Sequence, residues 1–408
     1  RDQEGFRAAQ LPHRMGGDCA DVACRQIGDA LAEAGEAGDG ARLHLGCQAT
    51  VAIQAFGQAH GFAQAINDAQ LAEHALRHHH VEAVGTEVDG AEDLGLPAGS
   101  LARGRQRAGA GAANAFEMPR NMTLLNMRTA AGPRLGVKVA KGILDVAAAA
   151  AMYKLPAPVD TDDLLQHGKG GQLATLVAAA ADGPARLFLQ ESAVPHAPLV
   201  TRPEKIIMMG FNYRRHAAET NTPIPKNPIL FNKFNSSLNH HRGTIALPTK
   251  VANQFDYEVE LVIVFGRECR NVSEDDALNY VAGYATGNDF SARDMQYLTS
   301  QFMIGKTFDG FAPLGPHLVT SDLVGDPNKL RLECRVNGEQ RQDWNTDDMI
   351  FNCRQMISFA SRMMTIRPGD IFYTGTPHGV VFGKPKDQQV WLKPGDKVVC
   401  SIEKLGEL

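Results

Sequence analysis

Two glutamates one residue apart, Glu258 and Glu260 in Phe255-Asp-Tyr-Glu-Val-Glu-Leu-Val-Ile-Val-Phe, are the first place where this chain could do chemistry. On a strand, residues i and i+2 point to one face, so the two carboxylates project side by side while Val259 and Leu261 project to the other. Carboxylates held that close repel, which raises one pKa or calls for a cation between them. The apolar run 261–265 carries the strand into a core, where two unpaired carboxylates would be costly. A divalent ion resolves both problems. Asp289, in Gly287-Asn-Asp-Phe-Ser-Ala-Arg-Asp-Met-Gln, is the third candidate ligand. A set of carboxylates without Cys or His favours a hard ion, Mg²⁺ or Mn²⁺, over Zn²⁺. On the residues alone a second reading stays open: an exposed edge-strand face for Glu258 and Glu260, and a helix N-cap for Asp289 or Ser291.

Other residues invite chemistry singly. His216 and Glu219 stand three apart in Arg214-Arg-His-Ala-Ala-Glu, one face of a helix if the segment is helical. A carboxylate beside an imidazole orients the ring and supports its cation, so the pair could activate a water or form an ordinary surface contact. Gly305-Lys306-Thr307 looks like the end of a phosphate loop, but Ser300 and Gln301 stand where the upstream glycine belongs, and a nucleotide site is rejected. Arg293 and Gln296 are i and i+3 on a putatively helical segment, and an ion pair with Asp294 or another carboxylate is the plain alternative for Arg293.

The elements that must position these groups lie in the second half of the chain. Its 408 residues suggest two or three domains, and 44% hydrophobic with 21% charged residues suits a buried core. A net charge of −5 without a basic run argues against nucleic acid. Apolar stretches fall far short of ~18 residues, so no membrane span is expected. Arg1-Asp2-Gln3-Glu4 lacks a signal-peptide layout, and seven cysteines without a Cys-x-x-Cys pair read as reduced thiols. A cytoplasmic protein is the expectation. Residues 1–121 contain no Lys, Tyr or Trp and half of the 14 histidines. They read as a low-complexity extension, plausibly upstream sequence before a natural start at Met122. Residues 122–200 read as a small domain and linker, with two strands around a turn near 136–146, a helix beginning near Asp160 and another at 173–181. From 201 to 408, strands are expected at 205–210, 258–265, 330–336 and 339–344, the last two joined by Asn337-Gly338, with a helix within 349–364. The class is mostly β with short helices (α+β).

An ordered set of motifs resembles the fumarylacetoacetate hydrolase family over about residues 205–408. They are Gly210-Phe-Asn-Tyr-Arg-Arg-His-Ala-Ala-Glu, Asp256-Tyr-Glu-Val-Glu-Leu, Asn288-Asp-Phe-Ser-Ala-Arg-Asp-Met-Gln, Gly305-Lys-Thr-Phe-Asp-Gly, Val336-Asn-Gly-Glu, Pro368-Gly-Asp and Thr374-Gly-Thr-Pro. The resemblance implies a mixed β-sandwich roll preceded by a small β-rich domain, a homodimer, and Mg²⁺ or Mn²⁺ on Glu258, Glu260 and Asp289. It implies that His216 and Glu219 form a dyad on a lid, that Lys306 reaches the substrate beside the metal, and that Thr376 anchors a carboxylate. Arg293 would pin a loop or a substrate carboxylate, Gln296 would help place a water, and Tyr213 would line the pocket or simply pack. His378-Gly-Val-Val-Phe-Gly departs from the family's common pattern. The expected activity is metal-dependent hydrolysis of a C–C bond in a small 2-oxo or 1,3-dioxo acid, such as an acylpyruvate or fumarylpyruvate from aromatic catabolism. Oxaloacetate decarboxylation, hydration or isomerisation of a 2-oxo-ene-dioate, and ureidoglycolate lyase action are the alternatives on the same scaffold. A non-catalytic relative is disfavoured, because every catalytic position holds a competent residue.

Overall fold

The computed structural model describes residues 117–408. The readings placed on residues 1–116 lie outside the described residues. The described part is mostly β with short helices, in a mixed arrangement of strands. β1 (Thr123–Thr129), β2 (Gly132–Val139) and β3 (Gly142–Asp145) form an antiparallel meander, followed by the helices Val146–Tyr153, Thr161–Gln166 and Gly170–Ala180 and by β4 (Phe188–Leu189). The Asp160 side chain accepts from Asp163 N and caps the second helix, as its type at that position suggests. The Ala-rich first helix had no clear periodicity to announce it. It is capped by Asp145, which accepts from Ala148 N, and closes on Lys154 in the left-handed region.

The remaining strands are β5 (Ile206–Gly210), β6 (Ile229–Lys233), β7 (Leu238–His240), β8 (Phe255–Asp256), β9 (Val259–Phe265), β10 (Val281–Asn288), β11 (Ser291–Ala292) and β12 (Ala312–Thr320). They continue with β13 (Arg331–Val336), β14 (Glu339–Asn345), β15 (Ile371–Tyr373), β16 (Val398–Ile402) and β17 (Gly406–Glu407). The large sheet runs β4-β3-β2-β1-β12-β10-β9-β15-β5-β6, with β7 also on β12, so the strands nearest the N-terminus join the sheet that carries the acidic pair. A smaller sheet runs β14-β13-β16-β17. Its hairpin turns on Asn337 and Gly338 at φ 53° and 85°, the positive pair that a tight two-residue turn demands. A capping box between Asn352 and Gln355 starts the helix Cys353–Met363.

β9 is covered on both faces, which explains its continuous apolar run. Leu261, Ile263 and Phe265 enter one core with the small sheet and Cys353–Met363, whereas Val262 and Val264 enter another with β1–β3 and their helices. By strand parity Glu258 and Glu260 share the Val262 and Val264 face. The four cysteines among the described residues, Cys269, Cys334, Cys353 and Cys400, are buried and free. No helix among the described residues is long and apolar enough to cross a membrane.

Three histidines meet where the segment after β4 crosses β7 and β12. The His196 ring lies 4.8 Å from that of His241 and 6.4 Å from that of His317. Burial, with neighbouring His241 and Arg242 for His196 and Lys138 for His317, pushes each of the three down to about 4. An unfolded histidine titrates near 6.5. Between about 6.5 and about 4 the unfolded chain therefore binds more protons, and stability present above that window is lost as pH falls through it. Urea unfolding from pH 7 to pH 4.5 is expected to show this acid limb, and His196→Gln to flatten it. An unchanged slope in the variant would remove the cluster as its cause.

Candidate active site

The acidic pair becomes a triad through strand register. β10 pairs antiparallel with β9, Gly287 opposite Glu260 and Asn288 opposite Val259. Asp289 N then donates to Glu258 O at 2.9 Å, and Glu258 N to the Asn288 side chain at 2.9 Å. One oxygen from each of Glu258, Glu260 and Asp289 lies within 4.8 Å of the others, all three residues being buried. An all-oxygen donor set of this span suits a hard divalent ion. Electrostatics agree. Burial, and then the charges of Asp289 and Glu258, drive the Glu260 carboxyl well above the usual range, a tension that a cation would relieve.

Three buried cations surround the triad. Lys306 Nζ donates to Glu258 Oε2 and to Asp289 Oδ2, both at 2.8 Å. The Arg293 guanidinium lies 2.7 Å from Glu258 Oε1, donates from Nε to Asp256 Oδ2 at 2.9 Å, and reaches Gln296 Oε1 at 3.0 Å. Lys233 Nζ lies 2.6 Å from Asp289 Oδ1. Burial pushes the Glu258 carboxyl up, but Lys306 and Arg293 outweigh it and hold it below the usual range. Burial pulls the Lys306 ammonium down, yet Asp289 and Glu258 keep it above its ordinary value. For Lys233 burial wins over Asp289 and the value falls. With Glu260 ionised as well, as a bound cation would favour, the four buried carboxylates Asp256, Glu258, Glu260 and Asp289 carry one negative charge more than the three buried cations. A doubly charged ion would turn that into one positive charge, the sign that attracts an acid.

The segment Arg214–Glu219 is helical, which puts the pair on one face, His216 Nδ1 lying 2.7 Å from Glu219 Oε1. Arg214 holds the helix start through the carbonyls of Asp348 and Met349 at 3.0 and 2.7 Å. The second Glu219 oxygen accepts from Gly379 N at 2.9 Å. The segment that departs from the family pattern is thus the one that grips Glu219. Asp256 fixes the same segment by accepting from Val381 N and Phe382 N at 2.9 and 3.0 Å. A Cβ on Gly383 would collide with the Glu219 carboxylate. Gly383→Ala is expected to displace Glu219 and slow turnover about 10²-fold, the usual scale for an ångström of misplacement, with metal content unchanged. Turnover at the wild-type rate would show that this grip is dispensable.

One small cavity of about 20 Å³, room for about a single water, collects His216, Glu258, Arg293, Gln296, Lys306 and Thr376 on its walls. The Thr374-Gly-Thr segment spends its polar groups on β9. Gly375 N donates to Glu260 Oε2 at 2.8 Å, and the hydroxyls of Thr374 and Thr376 donate to the carbonyls of Leu261 and Val259, both at 2.9 Å. Thr376 also accepts from Gln342 Nε2 at 2.9 Å, so its hydroxyl orders the wall it lines. Tyr213 is fully buried in the core and is not among the cavity's lining residues. Arg293 pairs with Asp256 and Glu258, whereas Asp294 accepts from Asn253 N at 2.8 Å. Two participants escaped the sequence reading. Asp256 has the parity of Glu258 and Glu260, which could have flagged it. Lys233, on edge strand β6, carried no local signal.

The family model described as "Fumarylacetoacetate (FAA) hydrolase C-terminal" matches residues 205–408. The chain is 41% identical over 281 residues to a mitochondrial oxaloacetate tautomerase of Xenopus laevis, covering 68% of this chain and 85% of that protein. It is 40% identical over 298 residues to a mitochondrial oxaloacetate tautomerase of Homo sapiens, covering 71% and 91%. Among solved structures it resembles the maleylpyruvate hydrolase from Sphingobium sp. SYK-6 in complex with manganese(II) ion and pyruvate, at 30% identity and a TM-score of 0.57, covering 70% and 97%. The cytoplasmic expectation is corrected here, because both of these animal relatives are mitochondrial by name. It had rested on the first residues' unlikeness to a secretory signal and on scattered cysteines, and neither bears on mitochondrial import, which uses a different kind of segment.

Proposed function

The chain belongs to the fumarylacetoacetate hydrolase family, and from that premise we propose that it is a metal-dependent tautomerase of a small 2-oxo dicarboxylic acid of the oxaloacetate type. Its likeness to the frog and human tautomerases favours this over the hydrolysis first expected. The observation that carries it is one small cavity lined by His216, which pairs with Glu219, and by Glu258 of the acidic triad. Glu258, Glu260 and Asp289 would hold Mg²⁺ or Mn²⁺, which supplies Lewis acidity toward a 2-oxo oxygen. With Nδ1 on Glu219, His216 keeps Nε2 to take a proton from carbon 3 and return one. The carbon–hydrogen bond breaks, its electron pair forms the C2–C3 double bond, and the oxygen gains a proton. Lys306 and Arg293 stabilise the charge that develops on that oxygen. No water is consumed.

The proposal includes a small oxo acid as partner and a homodimer, checked by sedimentation at twice the chain mass, and a mitochondrial setting in place of the cytoplasmic one. A second reading, C–C hydrolysis of an acylpyruvate or fumarylpyruvate, draws on the same dyad and on the manganese-bound maleylpyruvate hydrolase. One assay separates the outcomes. The full chain with Mn²⁺ is mixed in parallel with enol-rich oxaloacetate and with an acylpyruvate, and enol absorbance, total oxaloacetate and acylpyruvate are followed together. Faster enol loss at constant total supports tautomerisation. Loss of total with CO₂ release makes it a decarboxylase, and cleavage of acylpyruvate alone promotes the second reading.

A further inference from the structure

The cavity has two unlike halves. Charged groups make its floor, and five aromatic rings make its mouth: Phe211, Phe231, Tyr297, Phe302 and Phe382. These rings come from separate places in the fold. Phe211 follows β5, Phe231 lies on β6, Tyr297 and Phe302 bracket the connection between the helices Arg293–Gln296 and Met303–Lys306, and Phe382 lies in the segment that Asp256 holds. Phe302 is the ring that joins them. It packs edge-on against Phe211 at 6.2 Å, Phe231 at 5.7 Å and Tyr297 at 5.6 Å between centroids. Tyr297 in turn stacks on Phe382 at 5.3 Å. The collar is tied to the floor as well. Phe211 stacks on the His216 imidazole at 5.8 Å, Arg293 lies 5.4 Å from the Phe382 ring, and Lys306 lies 5.5 Å from that of Phe231.

An acid that places its oxo-carboxylate end on the charged floor must send its tail toward this collar. The space left between floor and collar is small. We propose that Phe302 sets the length of the 2-oxo acid that the site admits, favouring two- to four-carbon acids and rejecting longer tails. The inference deepens the proposed function and rests on its 2-oxo-acid substrate class, though not on which reaction follows. A methylene accepted or refused by an apolar wall is worth about 10- to 200-fold in discrimination, so one ring at the end of the pocket is enough to decide chain length. Phe302 is only partly buried and lies outside the regular elements, so its truncation leaves the cores intact.

The test measures binding and turnover separately. The Mn²⁺-loaded full chain is titrated calorimetrically with oxalate, 2-oxoglutarate, 2-oxoadipate and phenylpyruvate, as wild type, Phe302→Leu and Phe302→Ala. Wild type is expected to bind oxalate best and to lose affinity with each added carbon. Phe302→Ala should gain ~tenfold or more for 2-oxoadipate and phenylpyruvate relative to oxalate, with Phe302→Leu between. A merely structural ring would weaken all four alike, and that result overturns the proposal. So does a wild type that binds 2-oxoadipate as tightly as oxalate. Oxaloacetate tautomerisation is assayed on the same samples. A shifted length preference without tautomerisation removes the proposed reaction and leaves Phe302 as the selector. Tautomerisation with an unmoved preference removes only the role of Phe302.

Discussion

Glu258→Ala is expected to lose its metal and its turnover together. Glu258 is one of the three carboxylates that could hold the ion and is at the same time the partner of Lys306 at 2.8 Å and of Arg293 at 2.7 Å. Truncation leaves two ligands and strips one partner from each of two buried cations. Lys306 then leans on Asp289 alone, and Arg293 on Asp256. Breaking a buried pair from one side costs about 3–5 kcal/mol, so a lower unfolding midpoint accompanies the loss of metal. Disturbing a partner of a metal ligand already weakens affinity 10- to 100-fold, and a lost ligand should exceed the upper end of that range. Metal content after gel filtration, read beside turnover with saturating Mn²⁺, measures both effects. Glu258→Gln keeps the volume and separates loss of charge from loss of packing. A Glu258→Ala protein that retained stoichiometric Mn²⁺ would remove the triad as the metal site.

His216→Ala should do the opposite to the metal and the same to the reaction. The imidazole touches the triad only through the shared cavity, so Mn²⁺ content stays at the wild-type level. Proton transfer by a positioned side chain contributes about 10²- to 10⁴-fold, and the rate of enol–keto interconversion should fall by that amount. Glu219→Gln should fall less, because the amide oxygen can still meet an imidazole N–H while the carboxylate charge is gone. KM should move little for either variant, since neither group is a cationic anchor. Interconversion at the wild-type rate in His216→Ala would mean that another group carries the proton.

Much of this site is local, and local features are legible in a chain of letters. The one-residue spacing of Glu258 and Glu260 dictates a shared face on any strand, and the apolar run after them dictates burial. The three-residue spacing of His216 and Glu219 dictates one helical face, and the helix Arg214–Glu219 delivers it. Asn337-Gly338 dictates a tight turn because both residues must take positive φ. The ordered motifs supplied the rest of the resemblance, including Asp289, which no local spacing could attach to the pair.

What only the tertiary structure decided are the meetings across distance. Asp289 reaches Glu258 because β10 pairs with β9 in one register, and a slip by one residue would turn its side chain away. Lys233 becomes part of the site because β6 ends the sheet beside Asp289, and Arg293 takes Asp256 and Glu258 over neighbouring Asp294 because its helix follows β11, which pairs Ser291 with Asp256 on β8. Tyr213 falls into the core although it directly precedes the helix Arg214–Glu219. Residue types and short spacings determine which groups can carry a proton or hold an ion. The chain closing over itself determines how large the space between them is, and therefore which acid, and which of its bonds, they face.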